Sequence, residues 1–508
     1  MAGWQKFKSC LSAVLHSCTV FLRSCSLLDV GMVSIVAISV MVVTYTGADP
    51  DLWGHLRFGA DAIASGRLTP HDPYSFTSDI AWVNHEWLSE VIFAALYTYL
   101  GAAGINLFKL LVVGMLALLL WRSARRGGAS PFAAVLFTGL MVVVTSTRTQ
   151  SLRPQLFSVL FFALLIVIAD RIEHGHDRAA IGIPFLFCAW ANVHGGWIVG
   201  LGALTVWAAL TRRFALIAVA AGATLINPYG FGLWMFVHDT VGLARPDIAD
   251  WMPLFKLPVR VIAVECAVPG LAAVAVWYTR RLPPLRHVAV IALLAFGTVR
   301  VCRLDAFLMI AVAMICAPAL ASGANALDAR LRRSGALTRP SFASAVTAGL
   351  MAVVAVGFTV VYLGRIVING PWVPDAEALR FIKGHMSNAR LLTWFDWGEY
   401  AIWHLSPNGI QVSMDGRRET VYSDRVINDH WAFYHDTDPD AWRYPDRIGV
   451  DRAWLPKKLP AVKVLRAHGW QVAFESPVSV VLVRGDSVNQ LARLTSDQEL
   501  TVGEFPGP

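Results

Sequence analysis

The chain has 508 residues, of which 56% are hydrophobic and only 15% charged, with a formal net charge of +8 and a mean hydropathy of +0.53. Soluble chains carry about 25% charged residues and disordered chains few aliphatics, so both classes are excluded. A polytopic α-helical membrane protein remains, whose excess of Lys and Arg belongs to cytoplasmic loops and not to a nucleic-acid surface.

Residues 1–28 form a weakly basic segment (Trp4, Lys6, Lys8, Arg23), expected in the cytoplasm. The apolar run that follows ends in Asp49-Pro50-Asp51 and not in a small-residue cleavage site, so it reads as a retained first span. A bilayer core needs about 20 apolar residues in helix. On that measure the chain offers about eleven spans: 29–47, 104–121, 131–146, 156–171, 179–193, 197–210, 214–227, 259–278, 287–299, 304–323 and 341–363. With the N-terminus inside, the clusters Arg122/Arg125/Arg126, Arg171/Arg178, Arg212/Arg213, Arg280/Arg281/Arg286 and Arg330/Arg332/Arg333/Arg339 all fall in cytoplasmic loops, as the positive-inside rule requires. The stretch 86–100 would reach only about 22 Å as a helix. Counting it as a span would turn every later basic cluster outward, so it is laid on the outer surface. Residues 364–508 then form a C-terminal periplasmic α/β domain, with a helix over 375–385 and a strand over 478–485. The expected plan is a cytoplasmic segment 1–28, a membrane module 29–363 with an outer loop 48–103, and the outer domain 364–508. The seven cysteines show neither metal-ligand nor disulfide-framework spacing. The location this implies is a bacterial-type inner membrane.

Ionisable groups at membrane depth are costly and point to function. Here they collect at the expected outer ends of spans: Asp49, Asp51 and His55; His85 and Glu86; Arg148 and Arg153; Asn192 and His194; Asn227-Pro228-Tyr229; Arg300 and Arg303. Outward arginines run against the positive-inside rule, so something anionic is expected to hold them. Asp49 suits an N-cap, Pro50 the first helical position and Asp51 the first turn. The triplet is therefore either a helix cap or a carboxylate pair with one member poised as general base and the other orienting a substrate. Arg300 and Arg303 lie one turn apart and suit a phosphate clamp. Glu265 is the exception among nearly uncharged span middles, which disfavours a transport path.

These features resemble the GT-C glycosyltransferases, which use polyprenyl-phosphate-linked sugars. Relatives include oligosaccharyltransferase catalytic subunits, protein O-mannosyltransferases and the lipid A aminoarabinose transferase. The stretch 391–400, with Trp394-Phe395-Asp396-Trp397-Gly398, is similar to the acceptor-recognition signature of oligosaccharyltransferases, although a buried aromatic strand end would read the same way. Asp415-Gly416-Arg417-Arg418-Glu419 beyond it reads as a turn. The resemblance implies inverting transfer to a lipid, glycan or protein hydroxyl. It places the catalytic base at Asp49, with Asp51 as the alternative, and Arg148, Arg153, Arg300, Arg303, His85 and His194 would bind the donor phosphate. His55, Glu86, Asn192, Trp394, Asp396, Trp397 and Gly398 would hold sugar or acceptor. Oligosaccharyltransferases complete a divalent-metal site with a second acidic pair. Here the matching stretch 145–155 has two arginines and no acid. No cofactor is therefore expected, and Mg or Mn is disfavoured. A flippase for lipid-linked sugars, or a non-catalytic assembly subunit, is the alternative.

Overall fold

The computed structural model describes residues 24–243, 245, 248–333, 335–368, 370, 376–485, 494–495 and 503–507. The basic N-terminal residues Trp4, Lys6, Lys8 and Arg23, and Asp375 at the start of an expected helix, lie outside them.

A helix runs through each of the eleven apolar stretches. Among the described residues five are long and apolar enough to cross a membrane: Leu27–Thr44, Trp87–Arg126, Gln155–Glu173, Val259–Thr279 and Phe342–Leu363. A sixth crossing results if Cys302–Ile315 and Ala317–Arg333, bent by 71° at their junction, form one broken span. Large apolar side chains stay exposed on these helices, Trp277 and Val353 at 67% each, a surface suited to lipid and not to water. The protein is a polytopic membrane protein.

Local chemistry sets the helix ends. Ser26 and Asp29 form a capping box at the start of Leu27–Thr44, and Ser130 and Ser341 cap the helices that follow them. Trp87–Arg126 is two helices joined at Gly101, whose φ of 61° and ψ of −155° are open to glycine alone. The first piece, 87–100, is the stretch the sequence laid on the surface. The second carries two buried polar residues that tie other elements together. Asn106 accepts from Thr46 Oγ1 (2.5 Å) and donates to the carbonyls of Leu363 and Arg365 (both 2.8 Å). Lys109, fully buried, donates to the carbonyls of Tyr45 (2.8 Å) and Gln150 (3.1 Å). Both carbonyls belong to helix C-caps, where partial negative charge favours a cation. Lys109 thus joins Glu265 as a buried charge at span depth, contrary to the reading of nearly uncharged span middles.

The C-terminal part builds a mixed sheet. Its strands are β1 Val367–Ile368, β2 Arg390–Thr393, β3 Gln411–Val412, β4 Arg452–Pro456, β5 Gln471–Glu475, β6 Ser479–Val483, β7 Leu494–Thr495 and β8 Gly503–Glu504. Six of them run in the order β3-β2-β4-β6-β5-β7, and β1 pairs with β8. The expected helix is Ala376–His385 and the expected strand is β6. Gly398 opens the helix Gly398–Leu405 beneath the Met414 carbonyl, where a Cβ would lie only 2.2 Å from that oxygen.

Arg417 locks this domain onto the outer loop. It makes paired hydrogen bonds to Asp72 (2.9 and 2.8 Å) and to Asp415 (2.8 and 2.7 Å). Its guanidinium lies 4.8 Å from the ring centres of both Phe58 and Trp82. The segment read as a simple turn is therefore a buried ion-pair lock. Removing one partner of such a pair leaves the others charged and unpaired, at a cost of about 3–5 kcal/mol. We expect Arg417→Met to lower the melting temperature and open the domain junction to limited proteolysis. Unchanged melting and digestion would show that the lock does not hold the domain.

Candidate active site

The helix Leu52–Ser65 starts later than the sequence suggested. Its N-cap is Asp51, without a side-chain capping bond, while Asp49 Oδ1 accepts from the Asp51 backbone N–H (3.1 Å). Neither carboxylate serves as the classical N-cap because both are turned to Arg153. Arg153 Nε donates to Asp49 Oδ2 at 2.6 Å, and Nη2 lies 3.3 Å from Asp51 Oδ2. Asp49 is almost closed off, with 8% of its side chain exposed, whereas Asp51 keeps 32%. Asp51 is thus surrounded by protein yet remains partly open to solvent. Burial pushes its carboxyl up, the Arg153 charge pulls it back, and Asp49 adds to the rise; the net direction is upward.

Two histidine clusters flank this pair. His55 Nδ1 lies 3.2 Å from Glu90 Oε1, and Asn84 donates to Glu90 Oε2 at 2.5 Å. Burial alone would lower the His55 pKa, but the Glu90 hydrogen bond and the charges of Glu86, Glu90 and Asp51 outweigh it and raise the value to about 9. Glu86 lies 3.7 Å from His85 Nε2 and 3.6 Å from His194 Nε2. The Gly196 N–H donates to His194 Nδ1 (3.0 Å), which Ser158 Oγ also meets at 2.6 Å. An Nδ1 that accepts leaves the ring proton on Nε2, facing Glu86. Burial holds the His194 pKa down at about 3, so His194 is a neutral donor and not the cation expected of it.

The outer arginines divide. Arg148 is fully engaged, with Nε to both Asp305 oxygens (3.1 and 3.0 Å) and Nη1 to Asp250 (2.6 Å). This saturation corrects its assignment to the donor phosphate. Arg300 is exposed beside Phe296, with its guanidinium 5.3 Å from that ring, and so stands apart from the cluster. Arg303 has no carboxylate within ion-pair distance among the described residues, yet its charge bears on Asp51, Glu86 and Asp250. Its guanidinium lies 5.5 Å from the Trp251 ring centre. Asn192 accepts from Trp87 (3.0 Å) and donates to the carbonyls of Cys188 and Ile226 (2.8 Å each), tying three segments together.

From the C-terminal domain, Trp394 Nε1 donates to Asp396 Oδ2 (3.2 Å), and Asp396 feels the Asp51 charge. Trp397 is 2% exposed and packs 5.7 Å from Trp454, so it and Gly398 shape the domain instead of meeting an acceptor. The residue after them, missed from sequence, reaches the site. Glu399 is 4% exposed and its Oε2 has no hydrogen-bond partner among the described residues. A Cβ on Gly54 would lie 2.2 Å from Glu399 Oε2, and one on Gly416 would lie 2.7 Å from Asp51 Oδ1 and 2.8 Å from Glu399 Oε1. Two glycines thus make room for this acid beside Asp51. Burial, then the charges of Asp51 and Asp415, push its pKa well above the usual carboxylate range.

A metal fits poorly here. Arg153 already sits between Asp49 and Asp51, where a cation would go. Among the described residues the three-ligand group with metal-compatible spacing is Glu265, Cys302 and Asp305, and Arg148 already engages both Asp305 and Cys302 Sγ (3.6 Å).

No family model matches the chain, and no curated protein matches it by sequence. Solved structures do. The chain is similar to the Archaeoglobus fulgidus oligosaccharyltransferase solved with a tethered acceptor peptide containing the NVT sequon, at 12% identity and a TM-score of 0.50, covering 84% of this chain and 68% of that one. It is also similar to ArnT from Cupriavidus metallidurans bound to undecaprenyl phosphate, at 15% identity and a TM-score of 0.50, covering 90% and 98%. The likeness establishes the fold alone, which this chain shares with those two structures.

The His55 shift gives a pH test. A histidine whose folded pKa is raised from 6.5 to about 9 contributes stability that is complete below pH 6.5 and lost as the pH rises through about 9. We expect the melting-temperature gap between wild type and His55→Asn to be widest at pH 6 and to narrow by pH 10. A gap independent of pH would contradict the buried imidazolium.

Proposed function

We propose, from the GT-C fold and the buried carboxylate–guanidinium cluster, that the chain transfers a sugar from a polyprenyl-phosphate-linked donor to a hydroxyl acceptor at the membrane boundary. The observation that carries this is Asp51. It is an acid with a raised pKa, partly exposed, fixed by Arg153 and close to a second buried acid, Glu399, whose pKa is raised as well. The ArnT neighbour is bound to undecaprenyl phosphate and the oligosaccharyltransferase neighbour to an acceptor peptide; the same two ligand classes are proposed for this cleft.

In this reading the acceptor enters between the outer loop and the C-terminal domain, along Trp394 and Asp396. Asp51 takes the hydroxyl proton while the oxygen attacks the anomeric carbon from the face opposite the phosphate, with inversion. A base works best when its pKa lies near the working pH, which favours Asp51 over the closed, tightly paired Asp49 first expected from sequence. Asp49 instead fixes Arg153 and the backbone of Asp51. Arg303 receives the charge that grows on the departing lipid phosphate. A preorganised cation in a low-dielectric site stabilises that charge without reorganising during the reaction. We further propose that the membrane module 29–363 faces its N-terminus to the cytoplasm and the C-terminal domain 364–508 to the periplasm, across a bacterial inner membrane.

Asn retains the size of Asp, so Asp51→Asn should fold normally. We expect it to lose about 10²–10⁴ in transfer rate with donor binding retained. Wild-type activity should fall as the pH drops through the raised Asp51 pKa, with that acid limb above the ordinary aspartate range. Full activity in Asp51→Asn with an inactive Asp49→Asn would return the base role to Asp49. Full activity in both would end the enzymatic reading of this pair.

A further inference from the structure

A separate cavity lies away from these carboxylates. The helix Gln155–Glu173 has 19 residues and is about 28 Å long. Arg153 stands before one end of it, and Asp170 and Arg171 close the other. At that second end the helices enclose a cavity of about 970 Å³. Its depth is apolar, walled by Leu119, Phe162, Leu165, Leu204 and Val290, each no more than 8% exposed. Its rim carries Arg122, Arg126, Arg171 and Arg178 against one acid, Asp170.

The walls are fixed. Glu173 accepts from Trp207 Nε1 (2.5 Å) and from Arg286 Nε and Nη2 (2.7 Å each), and lies 3.0 Å from His287 Nε2. Three helices are pinned together around the opening, so the space does not close by simple collapse. Asp170 is shared by Arg126 at 3.7 Å and His174 at 3.4 Å. Arg122, Arg171 and Arg178 have no carboxylate within ion-pair distance among the described residues. A snorkelling arginine needs no cavity behind it, and an apolar cavity does not hold ordered water. The combination suits one occupant: acyl chain in the depth, anionic headgroup at the rim.

We propose that this end of the bundle binds an anionic phospholipid of the surrounding bilayer, at a site separate from the donor cleft. A free phosphate would gain nothing from the apolar depth. Basic pockets between helices at a membrane face recognise anionic headgroups through charge that acts near the surface. The donor phosphate belongs beside Arg303, a full helix length away, so the two lipids do not compete.

The test uses the full-length protein, delipidated in detergent and exchanged into nanodiscs of phosphatidylcholine with or without phosphatidylglycerol, with bound lipid counted by native mass spectrometry. Wild type should retain phosphatidylglycerol over phosphatidylcholine. Arg122→Gln with Arg178→Gln should weaken that retention roughly twenty-five-fold, a factor of about five for each arginine near an anionic surface. Ala203→Leu, which leaves the rim charges and fills the cavity wall, should displace the lipid and keeps the test open if the double variant folds poorly. Equal retention of the two lipids by wild type would overturn the proposal, as would unchanged retention in both variants. So would inorganic phosphate displacing phosphatidylglycerol at low millimolar concentration, since that outcome means a small-anion site.

Discussion

Two carboxylates at the membrane boundary need a fixed counter-charge, and the guanidinium of Arg153 supplies it. Much of the local structure serves to bring the three groups into register. Gly47 bridges Ser151 in parallel and also bridges Val367, so the segments that carry Asp49 and Arg153 run side by side, two residues beyond their point of contact. Ala48 N–H donates to the Val367 carbonyl and Val367 N–H to the Thr46 carbonyl, both at 2.8 Å. Lys109 holds the carbonyls on either side of this junction, Tyr45 and Gln150. Without that buried ammonium, two helix C-termini would meet in the protein interior with their negative ends unopposed.

The C-terminal domain forms the other wall. Arg417 engages Asp72 of the outer loop, and its neighbour Gly416 brings backbone close to Asp51 and Glu399. This closure takes water from the carboxylates and so raises the Asp51 and Glu399 pKa values together. The same low-dielectric surroundings strengthen the action of Arg303 on any phosphate that enters. Docking and chemistry are therefore coupled through one pair of loops, 49–55 and 415–418.

Much of this was legible in the sequence, for identifiable reasons. A helix runs through each apolar run read from the sequence, because lipid contact demands such runs over a long stretch. Polar residues at span ends marked the cluster, because burial at that depth is selective. What was hidden depended on pairing. Arg148 and Arg153 looked alike in one short loop, yet Arg148 meets Asp305 and Asp250, which lie far along the chain, while Arg153 meets Asp49. Periodicity says nothing of such contacts. Lys109 was overlooked because its neighbours are apolar, and Glu399 because Trp397-Gly398 drew attention to the motif and away from the acid beside it. The turn-like 415–419 segment hid the lock because Asp, Gly and Arg are ordinary loop residues until a partner is known.

The most direct measurement is sugar transfer from a polyprenyl-phosphate-linked donor by the purified protein in excess EDTA, with wild type and Arg153→Gln compared. With Arg153 acting as the cation between Asp49 and Asp51, wild-type turnover should be unchanged by the chelator. The variant should be inactive with or without added Mn²⁺ or Mg²⁺. Loss of wild-type transfer in EDTA, restored by either ion, would contradict the account.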